Sequence, residues 1–301
     1  MMAKDPIARP LTRIPSAMKS RSSTTAALLL LLAGSTWSAP QNSSASPSAS
    51  RQELLTARAV IDRYLDLTGE GKILASTRST RTKGRLEIVD TEIAGPMEVL
   101  AHSSNKRLVQ VELAGVGSVR EGFDGTTAWA IEPGAGASLQ EGLEHLQASM
   151  HANYTGPLKE ADEFERVQTV ARTEFDGKSC WKIEIVAKLP AAMDAQETQA
   201  VRTSHEYYDV DTGLLIGREM TTPTGMKVVV VSSDYKQLGE RLVATSQLQT
   251  AGAQKIKITT DSIAYDDVHE VAFSLPAEVR ARLEEQREAA SAEAEAAAGD
   301  R

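Results

Sequence analysis

Alternating apolar and polar residues fill the middle of the chain. In residues 119–133 the alternation surrounds Asp124 and Gly125. Glycine adopts positive φ at no steric cost and aspartate tolerates it, so this pair predicts a tight hairpin turn. The same pattern returns in residues 167–188 and again in residues 204–220. We therefore predict a series of antiparallel hairpins.

Shorter runs of the same period flank these hairpins. Leu86 and Ile88 alternate with charged residues, as do Ile256 and Ile258, and each run is typical of a strand with one wet face. We count about ten strands in all, too many for a flat open sheet. The sequence therefore predicts an α+β fold with a strongly curved antiparallel sheet and helices covering its concave face.

Two stretches change to helical spacing. Residues 51–68 end at Gly69, a residue suited to a helix C-cap, and residues 138–154 lie between two predicted hairpins. Each apolar stripe needs an apolar partner, so we expect both helices to lie on the sheet as a lid. The stripe residues are Leu54, Ile61 and Leu65 in the first helix and Leu143, Leu146 and Met150 in the second.

The two ends of the chain differ from the middle. Residues 1–39 contain basic residues, five consecutive leucines and then small residues, which is the pattern of a secretory signal peptide, and Met18 is the start that this pattern favours. Residues 40–50 form a Ser/Ala/Pro-rich linker. We place one domain at 51–276 and an Ala/Glu-rich helical or frayed tail at 277–301.

Charge and cysteine content narrow the function. The net charge is -8, with 4% aromatic residues, which argues against nucleic-acid binding. Without residues 1–39 the chain has 28 Lys and Arg against 40 Asp and Glu, so an anionic membrane surface would repel it. Its one cysteine, Cys180, cannot form an internal disulfide and is interpreted as a small apolar strand residue rather than a nucleophile.

No catalytic or metal-binding constellation emerges from the motifs. The triplet Asp211-Thr212-Gly213 matches that of aspartic proteases, but only one copy exists and a hairpin turn is expected there. The five histidines are scattered without ligand spacing. We therefore expect no enzyme activity, no cofactor, no metal and no membrane span once the signal is cleaved.

The predicted strands carry a surplus of apolar residues. Trp129 and Trp181 hold equivalent places in successive hairpins and are expected on equivalent faces. These residues could fill an ordinary core, or they could line a cavity for an acyl chain. The candidate wall residues are Val109, Val111, Trp129, Ile131, Trp181, Ile183, Ile185, Ile256 and Ile258.

Four segments together resemble one family. They are GFDGTTAWAIEP (122–133), FDGKSCWKIEIV (175–186), YYDVDTGLLIG (207–217) and SDYKQLGERLVATS (233–246). Their order over residues 51–276 resembles the outer-membrane lipoprotein-sorting superfamily of LolA/LolB-like periplasmic carriers. The resemblance implies an unclosed β-barrel of about eleven strands with a helical lid. It also implies carriage of lipid or lipoprotein acyl chains through the periplasm.

These features lead to one expected function and one alternative. The first is a periplasmic, monomeric, non-enzymatic carrier of lipid or of lipoprotein acyl chains. The alternative is an envelope sensor or protein-interaction module with the same fold and a filled core, whose partner would be an envelope protein. An unrecognised hydrolase is a distant third.

Overall fold

The computed structural model describes residues 54–188 and 195–299. The predicted signal peptide and linker, the first residues of the predicted N-terminal helix and residues 189–194 lie outside the described residues. The rest is one antiparallel sheet with helices on both of its faces.

The described α-helices and 3-10 turns come in chain order. They are α1 (Ala57–Thr68), α2 (Glu70–Ser76), α3 (Gly142–Ala152), a 3-10 turn (Gly156–Leu158), α4 (Ala195–Arg202), a second 3-10 turn (Glu270–Phe273) and α5 (Ala277–Gly299).

The described strands number thirteen. They are β1 (Ser79–Ile88), β2 (Ala94–His102), β3 (Lys106–Leu113), β4 (Gly117–Phe123), β5 (Ala128–Glu132), β6 (Gly136–Gln140), β7 (Phe164–Phe175), β8 (Lys178–Ala187), β9 (Thr203–Asp209), β10 (Leu215–Thr221), β11 (Lys227–Leu238), β12 (Arg241–Ala251) and β13 (Gln254–Tyr265).

The strand order is that of two meanders joined in the middle. Strands β1 to β6 run outward on one side and β13 back to β7 on the other, with β1 paired to β13. The two edges of the sheet are β6 and β7, which are consecutive in the chain and separated by α3. This confirms the predicted α+β class with an unclosed antiparallel sheet, with thirteen strands in place of about eleven.

The register of paired strands sorts their residues onto an inner and an outer face. Val109 pairs with Val99 on one side and Glu121 on the other, and these three residues lie on the inner face. Leu108 pairs with Leu100 and Gly122 on the outer face. One end of the inner face is filled by a packed apolar cluster that includes Leu86, Ile88, Met97, Val111, Leu113, Val119, Ile256 and Ile258.

Helix α1 covers part of the inner face. Thr56 caps it by accepting a hydrogen bond from the Ala59 N–H at 3.2 Å. Ile61 and Leu65 pack against Trp181 and its neighbours on β8. The predicted start at residue 51 was wrong over 54–56, which precede the helix, because the cap lies at Thr56.

Helix α3 is shorter than predicted. It begins at Gly142, and residues 136–140 of the predicted flexible entrance and helix belong to β6. Pairing with β5 overrides the helical spacing there, since the turn after Glu132 uses glycines at positive φ. Ala148 and Ala152 of α3 pack against Ala128 of β5, and these small side chains let the helix approach the sheet closely.

The sequence also predicts strand alternation from Ile73 and a long loop at 189–201, and the structure differs at both places. Ile73 lies in α2, and residues 195–202 form α4, in keeping with their Ala/Gln/Glu composition. Residues 270–273 form a 3-10 turn. Short apolar runs such as those at Ile73 and at 271–273 do not distinguish a strand from a helical turn.

The outer face is covered from the C-terminal end of the chain. Trp129 lies over Gly122, where an added Cβ would come within 2.4 Å of the indole ring. Val279 of α5 is fully buried in the same cluster, which also contains Phe273 and Leu108. The first turns of α5 therefore protect the outer face, and Arg282 also donates to the Ala137 carbonyl of edge strand β6 at 3.3 Å.

Substituting Gly122→Ala should destabilise the fold by about 1–3 kcal/mol, because the new methyl group would overlap the Trp129 ring. Urea unfolding followed by circular dichroism measures this loss. In a Trp129→Leu background the same glycine substitution should cost clearly less. Equal costs in the two backgrounds would show that the indole does not require the glycine.

Candidate functional site

A cavity of about 750 Å³ lies between the inner face of the sheet, α3, the segment after α3 and α4. Its size falls in the range of small-molecule binding sites. The sheet contributes residues from β1, β2 and β3 on one side and from β7 to β13 on the other. The cavity thus occupies the part of the unclosed barrel that neither α1 nor the apolar cluster fills.

Much of the cavity wall is apolar. The strands contribute aliphatic side chains, because alternate residues of each strand face inward. Helix α3 adds Leu146 and Met150 from the opposite side. The aliphatic and methionine side chains that the strands place there are Met97, Val99, Val109, Ile185, Met220, Val228, Val230 and Ile258.

The predicted wall residues divide into three groups. Val109, Ile185 and Ile258 line the cavity. Val111 and Ile256 lie on the inner face within the packed apolar cluster and away from the cavity, whereas Val109 and Ile258 belong to that cluster and also border the cavity. Trp181 and Ile183 lie on the inner face beneath α1. Trp129 and Ile131 belong to the outer cluster under α5.

The placement of Trp129 corrects the expectation that the two hairpins present equivalent faces. In both hairpins the tryptophan and the phenylalanine that precedes it lie on opposite faces of the sheet. Phe123 faces inward against α3, whereas Phe175 faces outward and stacks on Tyr207. The two hairpins share the same local pattern, but Trp129 of the first faces outward and Trp181 of the second faces inward.

The predicted lid residues also differ in position. Leu54 precedes α1 and is 40% exposed, so it has no place on the helix stripe. Ile61 and Leu65 are buried on the side of α1 that faces the sheet. Leu143 is half-buried on α3, and Leu146 and Met150 of the same helix face the cavity.

Sequence reasoning missed the polar part of the cavity. Arg107 alternates with Val109 on β3, and Arg218 alternates with Met220 on β10, so both share a face with apolar wall residues. Their spacing of two residues from Val109 and Met220 is the sequence signal that could have placed both arginines on the cavity face. The charged side chains at the cavity are Arg107, Lys159, Glu163, Lys188, Arg202, Glu206 and Arg218.

Glu206 is the centre of the polar wall. Its carboxylate accepts hydrogen bonds from the Tyr208 hydroxyl at 2.6 Å and from Arg218 Nε at 3.1 Å. Lys159 Nζ lies 3.4 Å from the same group. Burial opposes the charge of Glu206, but Lys159 and Arg218 outweigh it and lower the pKa of the carboxyl. Glu206 is therefore a satisfied buried anion.

A second electrostatic group surrounds Arg107. Burial raises the pKa of Glu121 on β4 to about 7, although Arg107 opposes the rise. Burial also lowers the pKa of His151 on α3 to about 3, with help from the charges of Arg107 and Arg218. At neutral pH the imidazole is therefore uncharged and the Glu121 carboxyl is only partly ionised.

The remaining candidate features play other roles. Cys180 is fully buried on the outer face, and burial raises the pKa of its thiol to about 11. Residues 210–214 form the β9–β10 turn, where the Asp209 carboxylate accepts from the N–H groups of Asp211 and Thr212. Among the described residues, no three His, Cys, Asp or Glu side chains gather as a metal site. None of the described helices has the length and apolar character of a membrane-spanning helix.

No protein-family model matches this sequence, and no curated protein matches it either. Solved structures with a similar fold include a LolA superfamily protein from Nitrosomonas europaea, 11% identical, with a TM-score of 0.49 over 73% of this chain and 98% of that one. A DUF1329 family protein from Desulfovibrio piger is also 11% identical, with a TM-score of 0.48 over 74% of this chain and 98% of the other.

A third similar structure is a putative outer membrane lipoprotein-sorting protein domain from Vibrio parahaemolyticus. It is 9% identical, with a TM-score of 0.43 over 71% of this chain and 97% of that one. Two of the three carry the superfamily name that the sequence resemblance suggested. At these identities the likeness concerns fold alone and transfers no cargo to this chain.

The Glu121→Gln substitution should stabilise the protein at pH 8 by up to about 3 kcal/mol. The folded pKa of Glu121, about 7, exceeds its ordinary value of 4.5, so stability is greatest below pH 4.5 and falls as pH rises through 7. The neutral amide avoids this loss, and its advantage should shrink to under about 1 kcal/mol at pH 5. Chemical denaturation at several pH values measures the difference. Glu87→Gln, at an exposed β1 position, is the control; a constant offset between pH 5 and pH 8 would contradict the prediction.

Proposed function

We propose that this protein is a non-enzymatic binder or carrier of lipid, or of lipoprotein acyl chains, in the periplasm or an equivalent exported compartment. The observation that carries the proposal is the cavity of about 750 Å³ with aliphatic strand residues on one side and Leu146 and Met150 on the other. The signal-like pattern of residues 1–39 and the sequence resemblance to LolA/LolB-like carriers support the location.

Apolar burial would drive binding. Each methylene group that leaves water for an apolar wall contributes about 0.8 kcal/mol, so even a short acyl chain gains several kcal/mol. Val99 and Met150 line the cavity and are only half-buried, so they would exchange solvent for the acyl chain. Binding of this kind needs no reacting group, in keeping with the absence of a recognised catalytic motif in the sequence.

Helix α3 is suited to act as the movable cover. It lies in the connection between the two sheet edges, β6 and β7, and its Ala148 and Ala152 pack against Phe123 and Ala128. His145 of α3 also donates from Nε2 to the Thr126 carbonyl at 2.9 Å. The segment after it is held by Lys159, which is near Glu206, and by a hydrogen bond of 2.9 Å from Arg58 of α1 to the Leu158 carbonyl. Release of these polar contacts would let α3 open without unpairing any strand.

One observation favours the alternative function, an interaction module with a filled core. Helix α1 already occupies the inner face over Trp181 and Ile183, and the cluster around Val111 fills one end. A module of this kind would bind an envelope protein and carry no acyl chain. Native mass spectrometry of protein purified from its own envelope distinguishes the two, since the carrier should retain lipid and the module should not.

The Val99→Trp substitution should weaken binding of a fluorescent fatty acid about tenfold or more. The indole would take cavity space from the acyl chain, and losing two buried methylene groups already costs that factor. Fluorescence titration measures the affinity. The control is Ile131→Trp, which adds the same side chain on the outer face and should leave affinity unchanged. Equal affinities for both folded variants would contradict placement of the acyl chain in this cavity.

A further inference from the structure

The charged residues of the cavity have the opposite balance to the chain as a whole. The chain carries a net charge of -8, yet the cavity has five basic side chains against two acidic ones. The excess of positive charge is therefore local to the site. Because apolar side chains line much of the cavity, charges there act more strongly than on the open surface.

Most of the basic side chains already have partners. Arg218 and Lys159 share Glu206, Arg202 pairs with Glu165, and Lys188 donates to a backbone carbonyl. These groups hold the wall together and leave little charge for a ligand.

Arg107 differs from the others. Within the described ranges, its guanidinium forms no hydrogen bond and has no carboxylate within 4.0 Å, although it lines the cavity. The group that acts on it is Glu121, diagonally across the β3–β4 pair, and that carboxyl is only partly ionised near pH 7. Arg107 thus directs a positive charge at the cavity without a fully ionised partner.

Two residues of α3 indicate the same place for a polar ligand group. Gln147 lines the cavity, is 4% exposed, and its side-chain oxygen has no hydrogen-bond partner in the described part of the chain. His151, one turn along the helix, stays neutral because it is buried and lies in the field of Arg107 and Arg218. The Gln147 oxygen is an acceptor, so a hydroxyl such as that of a monoprotonated phosphate would satisfy it. The Gln147 amide nitrogen and the neutral imidazole of His151 each carry an N–H that can donate to an anionic oxygen.

We propose that the cavity selects single-chain amphiphiles with an acidic head group, a carboxylate or a phosphate, which the guanidinium of Arg107 binds while the tail lies against Val99, Val109 and Val230. The inference rests on the proposed lipid-binding function and specifies its ligand class. Arginine binds such groups through two parallel N–H donors, and the Gln147 amide N–H and the His151 imidazole N–H can donate to the same head group. The cavity volume suits one acyl chain with its head group better than a larger lipid.

The test uses four ligands with the same tail: lauric acid, lauryl phosphate, lauryl alcohol and lauryltrimethylammonium. Affinities are measured by calorimetry or by displacement of a fluorescent fatty acid, below the micelle concentration. Lauric acid, lauryl phosphate or both should bind at least about tenfold more tightly than lauryl alcohol. Lauryltrimethylammonium should bind most weakly of the four. The comparison of the acid with the phosphate identifies the head group.

Variants assign the preference to Arg107. Arg107→Met should bring the affinity for the acids down to that for the alcohol, while alcohol binding changes less than about twofold. Arg107→Lys should restore part of the preference, and Arg85→Gln, at an exposed β1 position, should leave it intact.

Two results would overturn the inference. One is an alcohol affinity equal to that of both acids in the unmodified protein, which requires no variant to fold. The other is a preference for acids that survives in folded Arg107→Met. In either case lauryl alcohol still binds, so the lipid-binding function stands; if none of the four ligands binds, that function fails and this inference with it.

Discussion

The pairing of β1 with β13 is the interaction on which the rest of the structure depends. It joins the first and last strands of the sheet, so two separate meanders become one continuous curved surface. The two strands shift register between Lys83 and Gly84, where an added Cβ would lie 1.9 Å from the Thr259 carbonyl oxygen. A bulge with so close an approach increases local bending. Because the first and last strands pair in the middle of the sheet, the two edges fall at β6 and β7, and the helix between them covers the cavity.

The cavity combines two properties that an ordinary apolar core does not combine. Its aliphatic wall would gain free energy by burying a ligand, whereas its basic residues cost free energy unless they are paired. Glu206 satisfies most of that requirement with Tyr208, Arg218 and Lys159. Arg107 remains without an ionised partner in contact, and a fold selected for stability alone would gain by replacing it with an apolar residue. A bound acidic head group, as proposed, would supply the ionised partner that Arg107 lacks.

The two faces of the sheet are covered by different parts of the chain. Helix α1 and helix α3 lie on the inner face, and the 3-10 turn at Glu270–Phe273 and the start of α5 lie on the outer face. This division explains why the region near Trp129 is tightly packed although it contributes nothing to the cavity. It also leaves residues 284–292 of α5 exposed, in keeping with their Ala/Glu-rich sequence.

The sequence by itself determined the class of fold, because alternation and turn chemistry are local properties. It indicated the hairpins, the curvature and which residues of each strand share a face. It could not determine which of the two faces is the inner one, since a period of two is the same for both. Tertiary packing decided this: Ala128 faces α3 and Trp129 faces α5, whereas Trp181 faces α1. The basic cavity was likewise decided only in three dimensions, because Arg107, Arg218 and His151 are far apart in the chain and meet only when the sheet curls.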